Sequence, residues 1–173
     1  MKVKVKKLTE NAKLPVKLNN PNDFCYDVYA TSCTEVSPGV YKYGIGLAFE
    51  IIRGKEEIGT IREGDEFNTS NMLRKATIDF NNPNIKLSLD LRPRSSIYKT
   101  GMILANCEGT IDEFYRGEAS AVFYHLMKKL PIYKVGDRIG QLKLGFTLNI
   151  DWVETDELTE TVRGEGGFGS TGK

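Results

Sequence analysis

Apolar residues recur along this chain in short alternating runs, punctuated by Gly, Pro and Asn, and almost nowhere at helical spacing. Val3 and Val5 alternate with lysines at the start, and Lys17 parts Val16 from Leu18 ahead of the turn Asn19-Asn20-Pro21-Asn22. Runs rich in β-branched and aromatic residues follow at 26–30, 40–43, 46–52, 86–91, 102–106, 119–126 and 139–146. Many short strands separated by turn residues predict an all-β body of jelly-roll type.

The stretch 53–84 departs from that pattern. It carries Glu56, Glu57, Arg62, Glu63, Asp65 and Glu66, a polar Asn68-Thr69-Ser70-Asn71, and the turn Asn81-Asn82-Pro83-Asn84. This is the composition of an inserted hairpin or loop excursion. Beyond Trp152, the acidic Glu154, Asp156, Glu157 and Glu160 lead into a glycine-dense end that has too little apolar surface to order itself alone. The expected organisation is one β domain over 1–162, an insertion over 53–84 and a mobile terminal segment over 163–173, without internal repeats.

Composition narrows the picture. A compact chain of 173 residues exposes roughly 8,500 Å² of the roughly 28,000 Å² its unfolded form would, so a core is possible without disulfide or metal staples. Lys+Arg 24 against Asp+Glu 23 leaves a net charge of +1, which argues against disorder and against a polycationic nucleic-acid binder. Any anion must therefore be held by a local site. Cys25, Cys33 and Cys107 lack metal-ligand spacing and His125 is the single histidine, which argues against a zinc centre or a His-based triad. Reduced thiols, and no run approaching the roughly 20 apolar residues that span a bilayer, predict a soluble cytoplasmic protein.

Several segments carry candidate chemistry. The terminal Arg163-Gly164-Glu165-Gly166-Gly167-Phe168-Gly169-Ser170-Thr171-Gly172 contains G-x-G-x-x-G as a string, but a dinucleotide fold needs a helix after it and too little chain remains. What survives is an amide-rich segment able to wrap an anion, with a guanidinium, two hydroxyls and a ring that can stack on a base; the other reading is a disordered tail. Arg92-Pro93-Arg94-Ser95-Ser96 ends a strand, and serines opening a short helical turn offer N–H groups and hydroxyls to a phosphate. A helix cap beside a surface arginine fits the same string. Within 106–118, Gly109 marks a turn or bulge, Asp112 leaves that turn, and Tyr115 presents a flat face three residues later. A carboxylate so placed can orient and deprotonate water, or merely cap the turn. Asp27 lies in an aromatic run and needs a partner if buried, either as an arginine's structural partner or as part of a site. Gly136-Asp137-Arg138-Ile139-Gly140-Gln141 sets a turn before a strand bearing Gln141, whose amide can donate to a phosphate oxygen, though by itself the string reads as just a turn. His125 reads as a packed residue.

Taken in order from Asp27 to Gly172, these segments resemble the motifs of the homotrimeric dUTPase family, the deoxyuridine triphosphate nucleotidohydrolases. The pairing of Gly109-Thr110-Ile111-Asp112-x-x-Tyr115-Arg116-Gly117 with the terminal glycine-rich motif carries most of the likeness. The resemblance implies a distorted jelly roll, three subunits, and active sites each built from segments of all three chains. It implies hydrolysis of dUTP to dUMP and pyrophosphate, limiting uracil in DNA and supplying dUMP for thymidylate synthesis, with no direct nucleic-acid or membrane partner. By that likeness Asp112 activates the water that attacks the α-phosphorus, and Tyr115 packs on the deoxyribose where a 2′-OH would collide. Asn106 and the backbone at Gly109, Thr110 and Ile111 would recognise uracil. Arg94, Ser95, Ser96 and Gln141 would contact the phosphates, and Asp27 would pair with Arg94 and support Mg²⁺ through water. Arg163, Gly169, Ser170 and Thr171 would close over the γ-phosphate while Phe168 stacks on uracil. Mg²⁺ would ride on the phosphates, since it prefers their oxygens and water to a protein cage. Two positions depart from the family pattern: Phe114 stands where many members carry a second acidic residue, and Ser96 where glycine is frequent.

Two other readings compete. dCTP deaminases share the fold and an Arg-Ser-Ser motif, but need a glutamate on the strand after the Asp-bearing turn. That position falls on Val122, and valine cannot move a proton. A non-catalytic nucleotide-sensing or protein-binding module, with the insertion as its surface, is the third; Asp112 and the complete terminal motif argue against it.

Overall fold

The strand at Ile85–Arg92 shows how the alternation builds the body. Ile85, Leu87, Leu89 and Leu91 are buried in the core on one side, while Lys86, Ser88, Asp90 and Arg92 take the other, as successive strand side chains must. The computed structural model of the protein describes residues 1–18, 20–63 and 72–167. Asn19, Asp65, Glu66, the polar run 68–71 and Phe168 to Lys173 lie outside the described residues.

In chain order the strands are β1 (Lys2–Lys7), β2 (Tyr26–Tyr29), β3 (Thr34–Ser37), β4 (Val40–Gly44), β5 (Leu47–Ile52), β6 (Lys55–Glu63), β7 (Met72–Asp79), β8 (Ile85–Arg92), β9 (Met102–Leu104), β10 (Gly109–Asp112), β11 (Ser120–His125) and β12 (Arg138–Leu148). A single 3-10 turn at Ser95–Lys99 is the helical content among the described residues. Two four-stranded sheets, ordered β10-β8-β12-β2 and β3-β4-β11-β9, are accompanied by a separate two-stranded β1-β5 pair, with antiparallel pairing throughout. The fold is all-β, with jelly-roll architecture.

The core lies between the sheets. Val28, Leu91, Ile139 and Leu142 from the first share one buried cluster with Tyr43, Ala121 and Phe123 from the second and with Leu47 and Phe49 of β5. Tyr43, Phe123 and Tyr133 pack edge to face, centroids between 5.6 and 6.2 Å apart, worth about 0.5–1.5 kcal/mol per pair beyond the area buried. Tyr43 Oη donates to the Tyr133 carbonyl at 2.9 Å, so its hydroxyl is satisfied in the interior.

Three sequence expectations change. Gly109 does not sit in a turn from which Asp112 departs; Gly109–Asp112 is the edge strand β10, paired with β8, and Asp112 closes it. Among the described residues the last strand ends at Leu148 and none follows up to residue 167, so the stretch outside the sheets begins well before Arg163. The chain also exposes 13031 Å², far above the roughly 8,500 Å² of a compact monomer of this mass. Part of the excess is the C-terminal segment, where Trp152, Val153, Leu158 and Val162 are all more than four-fifths exposed. Ile58, 64% exposed, contributes from a β6-β7 ribbon that pairs with neither four-stranded sheet. No helix among the described residues is long and apolar enough to cross a membrane.

Candidate active site

The polar face of the β10-β8-β12-β2 sheet gathers most of the candidate residues. Residues opposite one another in an antiparallel pair point to the same side. Asp27 of β2 faces Gln141 of β12, and Gln141 faces Arg92 of β8. Lys143 faces Asp90 and Asp90 faces Thr110; Gly145 faces Ser88 and Ser88 faces Asp112.

Asp27 anchors one end of this face. It is 6% exposed; Oδ1 accepts from Arg94 Nε and Gln141 Nε2, both at 3.1 Å, and Oδ2 from Arg138 Nη1 at 2.9 Å. Burial alone would push its carboxyl up, but the hydrogen bonds from Arg138 and Gln141 and the charges of Arg94 and Arg138 outweigh it and hold the group below the ordinary aspartate value. Arg94 Nη1 also donates to Ser96 Oγ at 3.2 Å, so the guanidinium is oriented at the mouth of the 3-10 turn that Ser95 opens, itself exposed. Asp27, Arg94, Ser95, Ser96 and Gln141 therefore form one cluster. Arg138 belongs to it and was not singled out from sequence. The strand pairing shifts register between Arg138 and Gly140, a bulge of the kind that re-aims a side chain and that leaves no mark in the sequence.

Asp112 stands at the far end of the face. Gln141 and Gly145 are four residues apart on β12, about 13 Å along the strand, and β2 and β10 are separated by two strands, about 14 Å across, so Asp27 and Asp112 lie roughly 19 Å apart. Asp112 is exposed. Its carbonyl accepts the Tyr115 N–H at 3.0 Å, closing a turn that carries Tyr115, itself 48% exposed. Tyr115 Oη donates to the Glu118 carbonyl at 3.1 Å, and the ring lies so close over Gly117 that a Cβ there would run into it. That explains the glycine after Arg116. On the turn preceding β10, Cys107 adopts φ 58°, a left-handed conformation uncommon outside glycine, with exposed Asn106 just before it.

Between the two ends runs a charged ladder that sequence reasoning did not find. Ser88 Oγ donates to Asp90 Oδ1 at 2.8 Å, Lys143 pairs with Asp90 and stands 3.8 Å from Glu108, and Arg92 pairs with Glu108. β-register sets Lys143 beside Asp90, and Glu108 reaches Arg92 and Lys143 from the turn before β10. Arg163, by contrast, folds onto its own turn, Nε donating to the Gly166 carbonyl at 2.9 Å; Phe168, Gly169, Ser170 and Thr171 lie outside the described residues. His125 is a packing residue, its Nε2 at 3.0 Å from the Leu130 carbonyl. Among the described residues no three His, Cys, Asp or Glu side chains gather as a metal cage.

An all-β body with a buried carboxylate-guanidinium cluster at one end of a sheet face, and an exposed Asp-Tyr turn at the other, defines a class that comparison resolves. The dUTPase family profile matches residues 69–172. A deoxyuridine 5'-triphosphate nucleotidohydrolase of Nautilia profundicola is 31% identical over 175 residues, covering 100% of both chains. In fold the chain resembles the Staphylococcus bacteriophage 80alpha dUTPase solved with dUPNHPP, at a TM-score of 0.66 and 20% identity over 99% of each chain. It also resembles a mutant dUTPase from phage phi11 of S. aureus, described with a structural Mg(II) ion, at 0.59 and 16% over 92% of this chain and 100% of that one. The chain belongs to the dUTPase family, a family of hydrolases.

Proposed function

We propose that this chain hydrolyses dUTP to dUMP and pyrophosphate at a site assembled from more than one copy of itself. Family membership and the full-length relative named for this activity support the reaction. In the proposed step Asp112 holds a water and takes its proton as the oxygen attacks the α-phosphorus, the bond to the β-phosphoryl oxygen breaks, and pyrophosphate leaves. Arg94, Ser95, Ser96 and Gln141 bind the phosphates. Tyr115 packs on the deoxyribose, Asn106 and the backbone at Gly109, Thr110 and Ile111 meet uracil, and Arg163 with residues 168–171 closes the site.

The observation that carries the assembly is the roughly 19 Å between Asp112 and the Asp27 cluster, estimated from strand spacing and rise. The attacked phosphorus belongs to the same triphosphate that the cluster is to hold, so both groups must reach one substrate. Within one chain they do not, whereas Asp112 of one copy beside the Asp27 cluster of another does. The exposed apolar side chains of the C-terminal segment fit the same reading, because they have a surface to cover and none of their own chain covers it.

Magnesium fits this chemistry in one way. Both Asp27 oxygens already accept hydrogen bonds, so an ion there would be held through water and chiefly by phosphate oxygens. Its chemistry would be to neutralise triphosphate charge. Incubating the protein with Mg²⁺ and, separately, dUTP, dCTP, UTP and dTTP tests the function. Release of dUMP and pyrophosphate from dUTP alone is expected; dUTP made from dCTP, or no product from dUTP, would overturn it. Asp112→Asn should still bind dUTP and turn over on the order of 100-fold more slowly.

A further inference from the structure

Arg53 closes the base of the ribbon with every N–H its guanidinium has. Nε donates to Glu113 Oε1 at 2.5 Å, and Nη2 to Glu113 Oε2 at 2.6 Å and the Ile85 carbonyl at 2.9 Å. Nη1 donates to the carbonyls of Phe80 at 2.7 Å and Asn82 at 3.3 Å. One side chain thus ties the residue after β5, the exit of the ribbon and the start of β8 to the residue immediately following Asp112. The fork geometry is specific to arginine, since lysine has three rotatable donors and no planar pair.

Alternation gives this clamp its consequence. Ile111 packs against the core, Asp112 is exposed and Glu113 is 7% exposed, so Asp112 and Glu113 face opposite ways. A buried carboxylate stays buried only while it is paired. Arg53's hydrogen bonds hold the Glu113 carboxyl below its ordinary value against the opposing effect of burial. Released, that carboxylate would turn toward water, and the turn from 112 to 115 would rotate with it. The same turn is fixed from its other side by Arg116 Nη1, which donates to the Glu113 carbonyl at 2.6 Å.

We infer that Arg53 and Glu113 are positioning residues for the hydrolytic step, locking the turn that presents Asp112 and Tyr115. The inference rests on the proposed role of Asp112. Its test is steady-state pyrophosphate release from dUTP by Arg53→Lys and Glu113→Gln, each with and without Asp112→Asn. Arg53→Lys should lower kcat on the order of 10-fold and change KM less, by no more than about threefold through Tyr115, because the phosphate contacts come from another copy's Asp27 cluster, which this turn does not build. The double variant Arg53→Lys/Asp112→Asn should be no slower than Asp112→Asn, since a misplaced group that no longer acts costs nothing further. Unchanged kcat in Arg53→Lys, a loss confined to KM, or multiplied losses in the double variant would each overturn the inference while leaving Asp112 its role. Near-normal turnover by Asp112→Asn would instead remove the role and the inference with it. Should Arg53→Lys fail to fold, Glu113→Gln carries the same expectations, as it keeps the shape and one acceptor for Arg53.

Discussion

Asp27 is the residue on which burial and charge compete most openly. Its carboxylate is nearly out of water, which favours the neutral form, yet two guanidiniums and an amide are aimed at it. The charged form wins, so the folded protein holds this proton less tightly than the unfolded chain does. The stabilisation is therefore complete above the ordinary aspartate pKa and is lost as pH falls through the lower, folded value. Thermal midpoints recorded against pH should stay level down to about pH 4 and drop below it. Asp27→Asn should lower the midpoint at neutral pH, by about 3 kcal/mol of stability, because it leaves partly buried guanidiniums without their counter-charge, and should flatten the acid limb. An unchanged acid limb would show that another group governs it. Asp27 and Arg94 are legible in sequence as motif residues, but Arg138 is not. Nothing in the string Asp137-Arg138-Ile139 reveals that a bulge swings that side chain across to β2.

At the scale of elements, strands with one buried face announce themselves by their period, and those without one do not. β8, β11 and β12 carry clear apolar alternation and lie close to the expected limits. β3 is exposed along its whole length, and β10 is four residues opened by a glycine; neither leaves a periodic trace. The ribbon is the extreme case, with Ile58 64% exposed and its visible sequence signal limited to charge and turn residues. A two-stranded ribbon is marginal by itself, and this one is gripped at its base, where Phe80 N–H donates to the Gly54 carbonyl at 2.9 Å beneath the Arg53 clamp. Because the ends already meet, replacing 55–79 by a short glycine-containing turn should leave the body folded, with the thermal midpoint within about 5 °C, and should leave turnover of dUTP intact. The replacement removes the ion pair between the Met1 amine and Glu56, a partly exposed contact worth at most about 1 kcal/mol. Collapse of the midpoint, or of turnover, would make the ribbon part of the catalytic body.

The whole molecule poses a problem of reach that no single strand can solve. One chain carries the cluster proposed to bind the phosphates at one corner of a sheet and Asp112, the carboxylate proposed to hold the water, at the opposite corner, while its C-terminal segment extends Trp152 and Leu158 into solvent. Sequence order shows all of these residues and none of that separation, because distance across a sheet depends on register. If a neighbouring copy brings the missing corner, two variants inactive for different reasons should repair one another. Asp112→Asn spoils the carboxylate and leaves its own Asp27 cluster sound; Arg94→Ala spoils the cluster, with Arg138 and Gln141 still holding Asp27, and leaves its own Asp112 sound. Unfolded together and refolded at equal amounts, random assembly would place a sound Asp112 beside a sound cluster in about one quarter of sites. Turnover should return to about that fraction of the unaltered protein's, while each variant refolded alone stays slow. A site built within one chain allows no such repair, since every chain in the mixture would carry one defect. Recovery near zero in correctly sized assemblies would therefore place Asp112 and Arg94 at the same subunit's site and refute the shared arrangement.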